Sequence, residues 1–123
     1  MSRARQRLGR RGEDVAAELL EGRGMEVVAR NWRCAYGEID LVARDGDALV
    51  FVEVRTRRSR RLGTPEESIT AAKRDRLIEL SLAYVAEHGW EGPWRIDVVA
   101  IEMGGDGQLI RIEHLRSAVE AGD

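Results

Sequence analysis

Two strand-like runs, Gly37-Glu38-Ile39-Asp40-Leu41-Val42 and Leu49-Val50-Phe51-Val52-Glu53-Val54-Arg55, flank the polar stretch Arg44-Asp45-Gly46-Asp47. An Asp-Gly pair between β-rich runs predicts a hairpin, with strands at about 37–44 and 48–56. With Asp45 and Gly46 as the two central turn residues, Arg44 faces Asp47. Glu38 then stands opposite Glu53, with Asp40 diagonal to Glu53, unless a bulge shifts the register. Upstream, Val15, Ala16, Leu19 and Leu20 gather on one side of a helical wheel, and Asp14, Glu18 and Glu21 on the other. That predicts a short helix from Gly12 to about Gly22. Met25 to about Trp32 reads as a strand. Downstream, Thr64-Pro65-Glu66-Glu67 matches a capping box with Pro at the first helical position, and Thr70 serves equally well as a second N-cap. The long helix runs to His88, with Gly89 as its C-cap. A mostly apolar strand spans Trp94 to Glu102. Gly104-Gly105-Asp106-Gly107 is a turn, and Gln108 to about Leu115 returns as a final strand. The order αβββαββ predicts an α/β or α+β fold, a central mixed sheet flanked by helices. Residues 1–11 read as a flexible basic arm, 12–118 as one domain, and 119–123 as a C-terminal tail.

Composition narrows the classes. The chain has 123 residues, 43% hydrophobic and 34% charged, which suits one soluble domain with its own core. No apolar run approaches the ~20 residues that span a bilayer, and the arginine-rich start lacks the apolar stretch of a secretory signal. Cys34 is the only cysteine, which excludes an internal disulfide and fits a reducing cytoplasm. It also excludes a thiolate zinc cluster, and His88 and His114 are too few for an imidazole site.

Net charge is −2, so the chain carries no global polyanion-binding signature. The distribution says more. Arg3, Arg5, Arg7, Arg10 and Arg11 precede the first acidic residue, and Arg55, Arg57, Arg58, Arg60 and Arg61 follow the second hairpin strand. Such clusters suit either a phosphate-binding edge or solvated loops. The second cluster is the more suggestive because it adjoins carboxylates.

Those carboxylates carry the chemistry. Side chains alternate along a strand, so Glu38 and Asp40 share a face, as do Glu53 and Arg55. Like charges opposed on a sheet are destabilising, and a hard divalent cation is the simplest compensation. Glu53 interrupts a run that otherwise reads as buried, so it needs a partner. Asp40 and Glu53 on one face meet the need of Mg²⁺ for one or two protein carboxylates. A carboxylate-held Mg²⁺ or Mn²⁺ would supply what phosphodiester hydrolysis requires. Glu38 either supports that pair or begins its strand in solvent. Glu13 lies at the polar boundary of its helix, where it either leans toward the sheet or interacts with the helix dipole.

Gly37-Glu38-Ile39-Asp40-Leu41 followed by Phe51-Val52-Glu53-Val54-Arg55, together with Gly12-Glu13 and the strand from Arg95 to Ala100, resembles the YraN family of bacterial proteins. That family belongs to the restriction-endonuclease-like superfamily, with its D…(D/E)-x-K constellation, and is similar to Holliday-junction resolvases. The resemblance covers nearly the whole chain. It implies a nuclease-like domain in which Asp40 and Glu53 hold the metal and Glu13 is the acidic residue of the first helix. Arg55 departs from the pattern, because the superfamily usually has Lys there. Arginine grips an oxyanion bidentately but cannot act as a base. Lys73, the single lysine, is in helical phase with Leu77, Leu80 and Tyr84. It either snorkels to solvent or replaces the missing ammonium.

Other residues carry less. Asp97, in a nearly all-apolar strand, should be paired. Trp32 and Tyr36 suit base stacking or core packing, His88 a helix-dipole partner, and Cys34 a small buried hydrophobe. His114 has no partner legible by sequence. Three functions follow. The first is a Mg²⁺-dependent endonuclease acting on DNA, including branched or damaged DNA, with catalytic Glu13, Asp40, Glu53, Arg55 and Lys73. Arg57, Arg58, Arg60 and Arg61 would then bind nucleic acid. The second is a non-catalytic nucleic-acid-binding module, and the third a protein-interaction scaffold. No membrane partner is expected, and a homodimer is left open.

Overall fold

The computed structural model describes residues 3–120. Its elements are α1 (Arg3–Gly22), β1 (Glu26–Cys34), β2 (Gly37–Asp45), β3 (Ala48–Arg57), a 3-10 turn (Glu66–Ser68), α2 (Ala71–His88), β4 (Trp94–Met103) and β5 (Leu109–Val119). The order αβββαββ is the one the sequence predicts. The strands form one mixed sheet in chain order, β1-β2-β3-β4-β5. β3 and β4 run parallel, and every other neighbouring pair is antiparallel. A parallel pair needs a crossover of a dozen or more residues, and α2 supplies it.

Each helix covers one face. α1 buries Ala16, Ala17 and Leu20 against Leu41, Ala43, Val50, Val52 and Val99. α2 buries Leu77, Leu80 and Tyr84 against Ile39, Val42, Leu49, Phe51 and Ile96. Successive β3 residues therefore serve opposite cores, which is why that strand reads as a continuous apolar run. Trp32 meets Tyr84 edge-on at 5.1 Å, so it is a packing residue. No helix among the described residues is long and apolar enough to cross a membrane.

Four expectations are refined or corrected. Residues 3–11 are helical rather than a flexible arm. Their Arg, Ala, Gln and Leu are good helix formers, and Leu8 packs against the α1-side core. Met1 and Ser2 lie outside the described residues. The hairpin register also differs. Arg44 pairs with Leu49 and Asp45 with Ala48, so Gly46 and Asp47 form the turn. Gly46 has φ 62 at the first central position, where a type II′ turn wants glycine. The shift is two residues, which preserves every face, but it brings Asp40 rather than Glu38 level with Glu53. Both threonines cap: Glu67 N–H donates to Thr64 Oγ1 at 3.3 Å, and Lys73 N–H to Thr70 Oγ1 at 3.2 Å. Finally, β5 runs to Val119, which is buried, so the expected tail begins later; residues 121–123 lie outside the described residues.

Asp97 is paired, as a carboxylate in an apolar strand must be. It accepts from Arg95 Nε at 3.0 Å and from the Ser117 N–H at 2.9 Å, and it lies 2.7 Å from His114 Nε2. His114 Nδ1 lies 2.8 Å from the Arg23 guanidinium, which can only donate. That leaves Nε2 to carry the imidazole proton and donate it to Asp97. This network ties the end of α1 to β4 and β5.

Candidate functional site

The β2–β3 ladder ends at Leu41 and Val52. Beyond it, the Val54 N–H donates to Asp40 Oδ2 at 2.8 Å. A side-chain carboxylate replaces the next backbone acceptor. Ile39 belongs to the α2-side core and Leu41 to the α1-side core, although residues two apart on a regular strand share a face. The strand therefore rotates about Asp40, and its carboxylate lies in the split between β2 and β3. On β1, Asn31 stands across from Asp40, between the pairs Arg30–Leu41 and Trp32–Ile39. Asn31 has φ 52, a left-handed conformation uncommon for anything but glycine, asparagine or aspartate.

Three carboxylates meet at this irregularity. Glu13, Glu38 and Asp40 each offer an oxygen, and these oxygens lie within 4.8 Å of one another. Glu13 arrives there because α1 crosses β3 closely at Gly12, where an added Cβ would sit 2.1 Å from Thr56 Oγ1. The Asn31 amide Nδ2 donates to Glu13 Oε1 at 3.1 Å and to Glu38 Oε1 at 2.7 Å. Arg33 Nε donates to Glu38 Oε2 at 3.0 Å. Glu38, read from sequence as a support residue or a solvated strand start, thus stands within the acidic group.

Glu53 flanks the group from β3. Burial pushes the Asp40 carboxyl up to about 8, and repulsion from Glu53 with a carboxyl–carboxyl hydrogen bond adds to the rise. The Val54 N–H works against it. Glu13 is also raised, chiefly by burial, with the Asn31 amide opposing. Glu53 has a different counterweight: Arg55 Nη2 lies 2.7 Å from its Oε2. The Arg55 Nε is buried and has no hydrogen-bond partner among the described residues. An orphaned buried donor costs about 1–3 kcal/mol, so it marks a place where an acceptor is wanted. Oxygen-only donors in this number match the preference of a hard divalent cation.

The remaining sequence-predicted residues divide. Arg55, Arg57 and Arg58 line one cleft with Leu8, Gly9 and Glu13. Arg57, Arg58 and Arg61 make no ion pair among the described residues. Arg60 does: its Nε and Nη2 donate to Glu102 at 2.6 and 2.9 Å. Glu102 also accepts from Arg111, which reaches Glu66 in turn, and the two arginines hold the Glu102 carboxyl down at about 2. Lys73 is exposed and donates to the Ser68 carbonyl at 3.4 Å rather than to a carboxylate. The residue that sequence reasoning missed is Asn31. Its signal was faint, a turn-favouring residue inside a strand-like run.

Fold and site together define a mixed-sheet α/β protein with an acidic group at the mouth of a split hairpin. A family model described as "Uncharacterised protein family UPF0102" matches residues 12–101. A UPF0102 protein of Roseiflexus castenholzii is 57% identical over 122 residues, 98% of each chain. One from Symbiobacterium thermophilum is 55% identical over 104 residues, covering 84% of this chain and 88% of the relative. One from Nocardia farcinica is 49% identical over 116 residues, covering 92% and 89%. This chain belongs to the UPF0102 family, which is the YraN family that its motifs resemble.

Proposed function

We propose that this protein is a divalent-metal-dependent nuclease acting on DNA or structured nucleic acid. The observation that carries the reading is the split between β2 and β3. There Asp40 is held beside Glu53, Glu38 and Glu13, and burial together with repulsion from Glu53 disfavours its charged form, a cost that a bound cation would offset. Asp40 and Glu53 would hold Mg²⁺ or Mn²⁺, with Glu13 and Glu38 alongside. When bound, the cation would neutralise the carboxylates, polarise a phosphoryl oxygen and acidify water.

The chain's own groups take the other roles. The Val54 N–H fixes one Asp40 oxygen, and a carboxyl–carboxyl hydrogen bond ties Asp40 to Glu53. A guanidinium donates hydrogen bonds and cannot act as a base, so Arg55 would grip rather than deprotonate. Its Nη2 is engaged by Glu53, and the unpartnered Nε is one of the remaining guanidinium N–H donors that would meet a phosphate oxygen. Arg57 and Arg58, on the same cleft, would draw the phosphate backbone toward it.

One observation favours a second reading, a binding module without turnover. Among the described residues no lysine ammonium enters the acidic group, because Lys73, the single lysine, turns to Ser68. Calorimetry with Mn²⁺ and cleavage assays on duplex, branched and single-stranded DNA separate the two. Metal uptake with cleavage that disappears in Glu53→Ala supports the nuclease. Salt-dependent DNA binding with bound metal and no cleavage of any substrate supports the module.

A further inference from the structure

We infer that Asn31 is the positioning residue of the acidic site: its side-chain amide ties Glu13 to Glu38 so that their oxygens converge with that of Asp40. The inference rests on the metal-site reading above. Three features of Asn31 converge. Its Nδ2 bridges the two carboxylates, at 3.1 and 2.7 Å. Its backbone is in the left-handed region at φ 52, in the middle of β1. Backbone strain of this kind persists where the surroundings over-determine it, and it concentrates at functional sites. It also stands across from Asp40, between the pairs Arg30–Leu41 and Trp32–Ile39.

The chemistry follows from counting donors. A carboxylate offers about four lone-pair sites. The amide takes one from each glutamate and Arg33 Nε takes one on Glu38 Oε2, which leaves the remaining sites for a cation. Glu13 and Glu38 come from different elements, α1 and β2, and repel each other. A neutral double donor between them offsets that repulsion without adding a charge that would compete with a cation. A lysine or arginine in its place would bring a positive charge into the space a cation needs. Asparagine also suits the backbone, since it tolerates φ > 0 better than most side chains.

The backbone role and the amide role are separable. Asn31→Gly keeps the left-handed conformation free of strain and removes the amide. Its metal-free melting temperature should stay near that of the wild type, while Mn²⁺ affinity, measured by calorimetry on the full chain, should fall about 10–100-fold. Mn²⁺ bound equally well by the wild type and Asn31→Gly would end this inference alone. A wild type that takes up no Mn²⁺ would end the metal-site reading and this inference with it. Asn31→Asp gives an independent check that does not depend on affinity. It keeps the size and the backbone tolerance but puts a fourth carboxylate where a donor was. The variant should melt below the wild type in EDTA and recover on adding Mn²⁺. A melting temperature equal to that of the wild type in EDTA would overturn the bridge.

Discussion

At the scale of single residues, proximity matters more than residue type. Asp40 and Glu53 are ordinary carboxylates, yet the folded chain raises the first from 3.8 to about 8. A group with a raised folded value holds a proton that the unfolded chain has already released. Stability of the metal-free protein should therefore fall as pH rises from about 4 through about 8. Asp40→Asn should flatten that decline and be the more stable protein near the upper end, by roughly 1–3 kcal/mol, the usual cost of a poorly satisfied buried polar group. Urea denaturation in EDTA across the window measures it, and parallel curves for both proteins would refute it. Arg55 is the other residue-scale case. Arg55→Lys should preserve or raise any metal-dependent cleavage, because an ammonium can still pair with Glu53. Arg55→Ala should lower it by about 10²–10³-fold, the cost of losing one preorganised donor. Equal rates for Arg55→Ala and the wild type would remove Arg55 from the chemistry.

At the scale of elements, α1 shows how packing delivers a side chain, Glu13, to the acidic group. Gly9 and Gly12 lie in the same helix with opposite surroundings. Among the described residues nothing lies within 4 Å of a Cβ placed at Gly9, whereas one placed at Gly12 collides with Thr56 at 2.1 Å. Gly9→Ala should therefore stabilise the protein by about 0.5–1 kcal/mol, the ordinary helix gain over glycine. Gly12→Ala should destabilise it by about 1–3 kcal/mol, because the helix must lift from β3. Gly12→Ala should also weaken Mn²⁺ binding, since Glu13 moves with the helix, whereas Gly9→Ala should not. Chemical denaturation and calorimetry on the two variants test both halves. A stabilising Gly12→Ala would mean that α1 does not approach β3 in this way.

At the scale of the molecule, charge is sorted into arginines that build and arginines that remain free. Arg60 and Arg111 converge on Glu102 and anchor the basic segment to β4 and β5. Arg57, Arg58 and Arg61 make no such pair among the described residues. If the segment binds nucleic acid, each of those three replaced by Ala should lower the slope of log K against log[salt] by up to about 0.9. Arg60→Ala should leave the slope nearly unchanged while weakening binding, because its guanidinium is already committed to Glu102. Titrations of labelled DNA at several salt concentrations read both quantities. A slope that drops as much for Arg60→Ala as for Arg57→Ala would contradict this division.

The sequence alone was enough for the element order, the two helix faces and the placing of Asp40 and Glu53 on one side. Those depend on periodicity and turn chemistry, which are local properties, and a two-residue error in the hairpin register leaves side-chain faces unchanged. Charge misled the reading of residues 3–11, where helix propensity and the packing of Leu8 outweighed repulsion among arginines. The convergence of the site was not legible. Glu13, Asn31 and Glu38 lie on three segments, and only the crossing of α1 over β3 and the rotation of β2 about Asp40 bring them together. The pairing of Asp97 with His114 and of Arg60 with Glu102 was hidden for the same reason. Each joins residues far apart in the chain, and no periodicity records which distant strand will be the neighbour.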